Sequence, residues 1–184
     1  MILNNNKPLP EILGVRVVAE TRIFQVQAVD LRFDNGALRT YERLTPNRKP
    51  SVMVLPIDGD DLLMVREYAV GAQRYELGFV KGLIDAGETP AQAANRELQE
   101  EIGLGAKQIR FLRQIYANPS HMYGVMDVFV AQDLYPAKLE GDEPEPLEIV
   151  RVPISQIDDL IDNPQFGDAR VLSALMLLQR FQAA

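Results

Sequence analysis

The segment Thr89–Gly103 constrains this chain more than any other, because it spells out one helix from its first turn to its stop. Thr89 can accept a hydrogen bond from the backbone three residues on while Gln92 reaches back, and Pro90 suits the first helical position, where no N–H partner is needed. Gly103 stands where a chain leaving a helix turns left-handed. Between these signals Ala91, Ala94, Leu98 and Ile102 recur at three- and four-residue spacing, a stripe that faces a core. Glu97, Glu100 and Glu101 lie off that stripe at i, i+3 and i+4, so their carboxylates cluster within one turn.

Around the helix the sequence reads mainly as strands and turns. Alternation from Gly14 to about Arg43, with Asp34-Asn35-Gly36 before Ala37–Tyr41, predicts a hairpin-rich β appendage. Thr45–Pro50 is polar and broken by two prolines, which places a boundary there and gives two parts, 1–47 and 48–184. Val52–Ile57, an Asp58-Gly59-Asp60-Asp61 turn and Leu62–Glu67 predict a second hairpin around a buried strand. Strands are expected near Ile109–Tyr116, Val125–Ala131 and Leu147–Val152, with an acidic, proline-broken loop over Leu139–Pro146. A short helix near Ile154–Asp162 and a longer one over Ala169–Gln182 close the chain. This pattern is α+β or mixed α/β, a sheet covered by few helices.

Composition narrows the chemistry. With 184 residues, 47% hydrophobic and 24% charged, the chain has the mix of a globular protein with a real core. It has no cysteine, which excludes disulfides, thiolate metal sites and a cysteine nucleophile. A net charge of −7 argues against long nucleic acid as a partner. No apolar run approaches the ~18 residues a membrane span needs, and MILNNNKPLP lacks a leader pattern, so no membrane is expected and the expected address is the cytoplasm.

An acidic helix face is ordinarily just solvated. Here like charges at i,i+4 repel by roughly 0.2–0.5 kcal/mol per pair, and carboxylates in the last turns oppose the helix dipole by roughly 0.3–1 kcal/mol each. A divalent cation would remove both costs, since clustered hard oxygens are what magnesium or manganese takes. Spacing alone permits a metal without requiring one.

The residues before the helix change the balance. Gly82-Leu83-Ile84-Asp85-Ala86-Gly87-Glu88 precedes it, so Gly82, Glu88, Arg96, Glu97, Leu98, Glu100, Glu101, Gly103 and Leu104 fall at fixed intervals. This run resembles the complete Nudix box, and a chance match in one such chain is on the order of 10⁻⁸ to 10⁻⁷ at average residue frequencies. Val65–Glu88, VREYAVGAQRYELGFVKGLIDAGE, is also similar to the approach to the box in ADP-ribose pyrophosphatase-like members. More closely, YERLTPNRKPSVMVLPI, REYAVG and AQDLYP resemble the bacterial ADP compounds hydrolase branch of the family, a similarity that spans roughly residues 14–182; one departure is Val80, where proline is more usual.

The resemblance implies an α/β/α sandwich, a mixed sheet between helices, with an N-terminal antiparallel β appendage that makes a homodimer. It implies that Glu97 and Glu101 are metal ligands, that Glu100 is a further ligand or acts through water, and that the Lys81 carbonyl joins them, with Mg²⁺ or Mn²⁺ as the cation. Arg96, Glu88 and Gly82 would support that site, Arg96 by orienting a glutamate. Glu143 or Glu145 in the acidic loop would be the general base, with Glu143 favoured. Arg66 would meet a substrate phosphate through its guanidinium, and Glu76 occupies the place of a glutamate common before the box. His121 reads as an exposed loop residue, and Tyr68, Tyr75 and Tyr123 as strand packing that could also stack on adenine.

The implied function is Mg²⁺-dependent hydrolysis of the pyrophosphate in ADP compounds such as ADP-ribose, NADH or diadenosine polyphosphates. From ADP-ribose the products would be AMP and ribose 5-phosphate. Two alternatives stay open: a nucleotide sugar such as GDP-mannose as substrate, since the box meets only metal and phosphate, and a catalytically silent nucleotide sensor. The sensor would carry a broken glutamate set or an appended DNA-binding segment, and neither is visible in the sequence.

Overall fold

The structure, a computed structural model, describes residues 7–46 and 50–182. The boundary expected after residue 47 and the first six residues lie outside these. The chain divides into two compact units, residues 1–48 with 118–124 and residues 49–117 with 125–184.

The first unit is an antiparallel meander of β1 (Glu11–Glu20), β2 (Phe24–Arg32) and β3 (Leu38–Pro46). Its second turn runs through Asp34-Asn35-Gly36, and Gly36 takes φ +79°, open to glycine without a Cβ penalty. Residues 118–124 join this unit through β3. Leu44 N–H donates to His121 O at 2.8 Å, Tyr123 N–H to Leu44 O at 2.7 Å, and the Arg43 guanidinium lies 4.1 Å over the Tyr123 ring.

The second unit is built on a fork. β4 (Ser51–Asp58) and β5 (Asp61–Ala69) turn at Gly59, pair only at Ile57–Leu62 and Asp58–Asp61, and then diverge. β6 (Arg74–Gly78) pairs with β5 and β7 (Val80–Leu83) with β4, so one length of chain crosses the fork at the fully buried Phe79. On the other side of β4 lies β9 (Met126–Pro136), parallel to it, and then β8 (Leu104–Ile115), antiparallel to β9. β10 (Glu148–Pro153) runs beside β5 at the opposite edge.

At β4 both faces of this sheet are buried, which is why that strand shows a continuous apolar run and no alternation. Val52 and Val54 face one core with Val65, Val80 and Phe129, while Met53 and Leu55 face the other with Met64 and Val128. α1 (Pro90–Glu101) lays Ala94 and Leu98 on the first face. α3 (Ala169–Gln182) lays Val171, Leu175 and Leu178 on the second, beside Ile157 of α2 (Ile157–Asp162). The expected α+β sandwich with a mixed sheet is therefore what forms. Each fully buried Leu or Val contributes about 1.5–3 kcal/mol, and a helix as short as α1 depends on that packing more than on propensity.

The structure differs from the sequence reading in two strands of the second unit and in the start of a third. β6 and β7 were not anticipated, because strands of five and four residues that change partner at Phe79 keep no lasting alternation. β8 begins at Leu104, directly after the helix stop, instead of near Ile109.

Candidate functional site

The cap fixes where α1 starts. Thr89 Oγ1 accepts the Gln92 N–H at 3.3 Å, and Gln92 Oε1 accepts the Thr89 N–H at 2.8 Å. At the other end Gly103 takes φ +69°, which turns the chain into β8.

Glu97 is only 8% exposed although it lies off the apolar stripe. The reason is Gly82 on β7: a Cβ there would sit 2.0 and 2.2 Å from the two Glu97 carboxylate oxygens. A strand without a side chain at that point lets the carboxylate lie directly against the backbone. One turn on, Glu101 Oε1 accepts the Lys81 N–H at 3.0 Å, while its Oε2 is buried with no hydrogen-bond partner. Burial pushes the Glu101 carboxyl up to about 8, against the pull of the Lys81 N–H and charge. Burial also raises Glu97, with Arg96 opposing, and the nearby charge of Glu143 raises both.

Arg96 gathers the rest. Its Nε donates to Glu88 Oε1 at 2.8 Å, its Nη1 to Glu97 Oε1 and Glu100 Oε2 at 2.7 Å each, and its Nη2 to the Leu83 carbonyl at 2.8 Å. Glu88 Oε2 in turn accepts the Asp85 N–H at 3.0 Å, closing the loop onto the helix. The Arg96 hydrogen bond holds the Glu88 carboxyl below its usual range, and the carboxylates raise Arg96. Among the described residues no group of three or more acidic or imidazole side chains stands ready to hold an ion, since Arg96 draws two glutamates and Lys81 the third. The donor chemistry nevertheless fits a hard divalent cation: all-oxygen groups on one helix face, including one buried carboxylate oxygen that lacks any partner.

The acidic loop lies along the end of α1. Ala137 N–H donates to Gly103 O at 3.0 Å and Leu139 N–H to Gln99 O at 3.1 Å. A Cβ on Gly141 would meet Glu143 Oε2 at 2.3 Å and the Glu100 carbonyl at 3.4 Å, so Glu143 folds back beside the last helical turn. Glu145 points elsewhere, its Oε1 accepting the Tyr75 hydroxyl at 2.7 Å. A cavity of about 450 Å³ opens here, with Glu100, Glu101, Glu143, Glu145 and Lys138 in its wall.

The remaining candidates have partners of their own. Arg66 Nε pairs with Glu148 of β10 at 2.9 Å, and Glu76 with Arg74 Nε at 2.6 Å. Lys81 Nζ reaches Glu67 at 3.2 Å and Phe79 O at 3.1 Å. His121 belongs to the first unit. Sequence reasoning missed Gly141 and the Tyr75 hydroxyl; the glycine within LEGDEPEP was a signal for close approach, whereas nothing local ties residue 75 to residue 145.

The NUDIX domain model matches residues 47–175, and the NudE-type Nudix hydrolase N-terminal domain matches residues 10–43. The ADP compounds hydrolase NudE of Escherichia coli K12 is 52% identical over 94% of this chain and 92% of its own length. The ADP-ribose pyrophosphatase of Bacillus subtilis is 27% identical over 93% of this chain and 96% of its own. A crystal structure of an ADP compounds hydrolase superposes with a TM-score of 0.90 at 49% identity, covering 98% of this chain and 97% of that one. With the box residues placed as described, the chain belongs to the Nudix hydrolase family.

Proposed function

We propose that this enzyme hydrolyses the pyrophosphate bond of ADP linked to a second group, with ADP-ribose, NADH and diadenosine polyphosphates as substrates and AMP among the products. The observation that carries this reading is the Glu101 carboxylate, buried with one oxygen unpartnered beside the Gly82 cradle that seats Glu97. The names of the Escherichia coli and Bacillus subtilis relatives support the choice of ADP compounds.

Glu97, Glu100 and Glu101, with the Lys81 carbonyl, are the groups that would hold Mg²⁺ or Mn²⁺. When bound, such an ion offsets the charge of the pyrophosphate and makes a water more acidic. Glu143 takes the proton of the attacking water on a carboxylate oxygen, its place beside α1 favouring it over Glu145, whose carboxylate is engaged by Tyr75. Arg96 supports the site by holding Glu88, Glu97 and Glu100 in one hydrogen-bonded set, which ties the Gly82–Glu88 loop to the helix. Arg66, steadied by Glu148, offers a guanidinium to a substrate phosphate, while Glu76, in register with Glu67 and so on the other face of that ladder, is engaged by Arg74. The first unit serves dimerisation: β1 exposes Ile12, Leu13, Val15, Val17 and Val18 at 44–59%, an apolar surface that a second subunit would cover.

The test is incubation with Mg²⁺ and, separately, ADP-ribose, NADH, diadenosine triphosphate and GDP-mannose, with products resolved by chromatography. AMP from the adenylated substrates, abolished by Glu101→Gln, is the expected result. Cleavage of GDP-mannose alone would overturn the substrate assignment and leave the metal site standing.

A further inference from the structure

We infer that Tyr75 is a positioning residue: through its hydrogen bond to Glu145 it latches the acidic loop so that Glu143 stays over the glutamate helix. The inference rests on the proposed role of Glu143 as base.

The loop is tied to the body at two places. On its N-terminal side Ala137 and Leu139 donate to the carbonyls of Gly103 and Gln99, at the end of α1. On its C-terminal side main-chain attachment is impoverished, because Pro144 and Pro146 flank Glu145 and neither carries an N–H. Ladder pairing resumes only at Glu148, opposite Arg66. The Glu145 side chain therefore supplies what the backbone cannot, and its acceptor is held by Tyr75 Oη at 2.7 Å. Gly141 and Glu143 lie between the two ties, Gly141 close enough to the Glu100 carbonyl that its missing Cβ matters.

Tyr75 is itself well fixed. It sits in register opposite Tyr68 on β5, and the two rings pack edge to face with centroids 5.6 Å apart. Its hydroxyl thus leaves a paired strand at a set position, which is what a latch on a loop requires. Ring packing alone would leave the hydroxyl without a task, whereas it is directed at one carboxylate 70 residues away in sequence.

The experiment compares Tyr75→Phe, Glu145→Ala, Glu145→Gln and Glu143→Gln by steady-state kinetics with Mg²⁺ and ADP-ribose. Amide exchange over residues 139–146 is followed in parallel without metal or nucleotide. Tyr75→Phe and Glu145→Ala should each lower kcat roughly tenfold, the scale of one hydrogen bond to a charged acceptor, with KM within about twofold. Both should speed exchange in the loop, and the double variant should be no worse than either single one. Glu145→Gln keeps an oxygen acceptor and should stay within about twofold of the parent, a rescue that a merely acidic role would not show. Unchanged kcat in Tyr75→Phe beside an inactive Glu143→Gln would overturn the latch while leaving the base assignment intact. Full activity in Glu143→Gln would instead sink the assignment on which the latch rests. A Glu145→Gln variant as inactive as Glu143→Gln, or a Tyr75→Phe variant altered in KM alone, would also overturn it.

Discussion

Replacing Glu101 with Gln should remove a large part of the pH dependence of stability in the metal-free protein. In the folded chain burial holds the Glu101 proton up to about pH 8, whereas the unfolded chain releases it near pH 4.5. Between those values the native state binds more protons than the unfolded state, so stability is highest below the window and falls as pH rises through it, levelling above about pH 8. At about 1.36 kcal/mol for each pH unit, the whole window is worth on the order of 5 kcal/mol at most. Gln keeps the oxygen that accepts the Lys81 N–H and places an amide nitrogen where Oε2 has no partner. The assay is urea unfolding in EDTA from pH 5 to 8.5. The parent should lose several kcal/mol more than the variant across that range, and adding Mg²⁺ should stabilise the parent increasingly with pH, because a cation selects the ionised carboxylate. Parallel curves within about 0.5 kcal/mol would refute the reasoning, since they would mean Glu101 is as well solvated when folded as when unfolded.

Gly82→Ala places a Cβ 1.9 Å from the Glu97 carboxyl carbon, so Glu97 must leave its seat and its bond to Arg96. A loss of about 1–3 kcal/mol in stability, together with at least a tenfold drop in activity, is expected from thermal melts and initial rates; a fully active variant would show that the cradle yields freely. Leu98→Ala empties a fully buried position beneath α1 and should cost about 2.7–5 kcal/mol in urea unfolding, with a value below 1 kcal/mol contradicting the packing described here.

α1 was legible in its start, its stop and most of its apolar face because that information is local. Cap, proline, glycine stop and apolar stripe all lie within one stretch, and each has its counterpart in the structure. β4 was legible as a buried strand for the same reason, its run of apolar residues needing no knowledge of neighbours. The burial of Glu97 was not legible, because it depends on a glycine in another strand fitting against the carboxylate. Nor was the grouping of residues 118–124 with β3, which is made by backbone bonds to Leu44 that any side chains would permit. The Arg96 network stood between these cases: the box implies an orienting arginine, yet only the folded loop shows it joining Glu88, Glu97, Glu100 and the Leu83 carbonyl.

The fork in the second unit bears on the order of folding. β7 hands Gly82 to the helix, and β7 is paired to β4, whose other edge is completed only when β9 aligns Ser51 opposite Met126. Parallel pairing at such separation must close a long loop before any contact rewards it, so it belongs to the slow part of assembly. A chain still emerging during synthesis can nucleate the β4–β5 hairpin and the capped helix early. Gly82, the floor under Glu97, therefore rests on a strand pair whose far edge is closed only once β9 has been made.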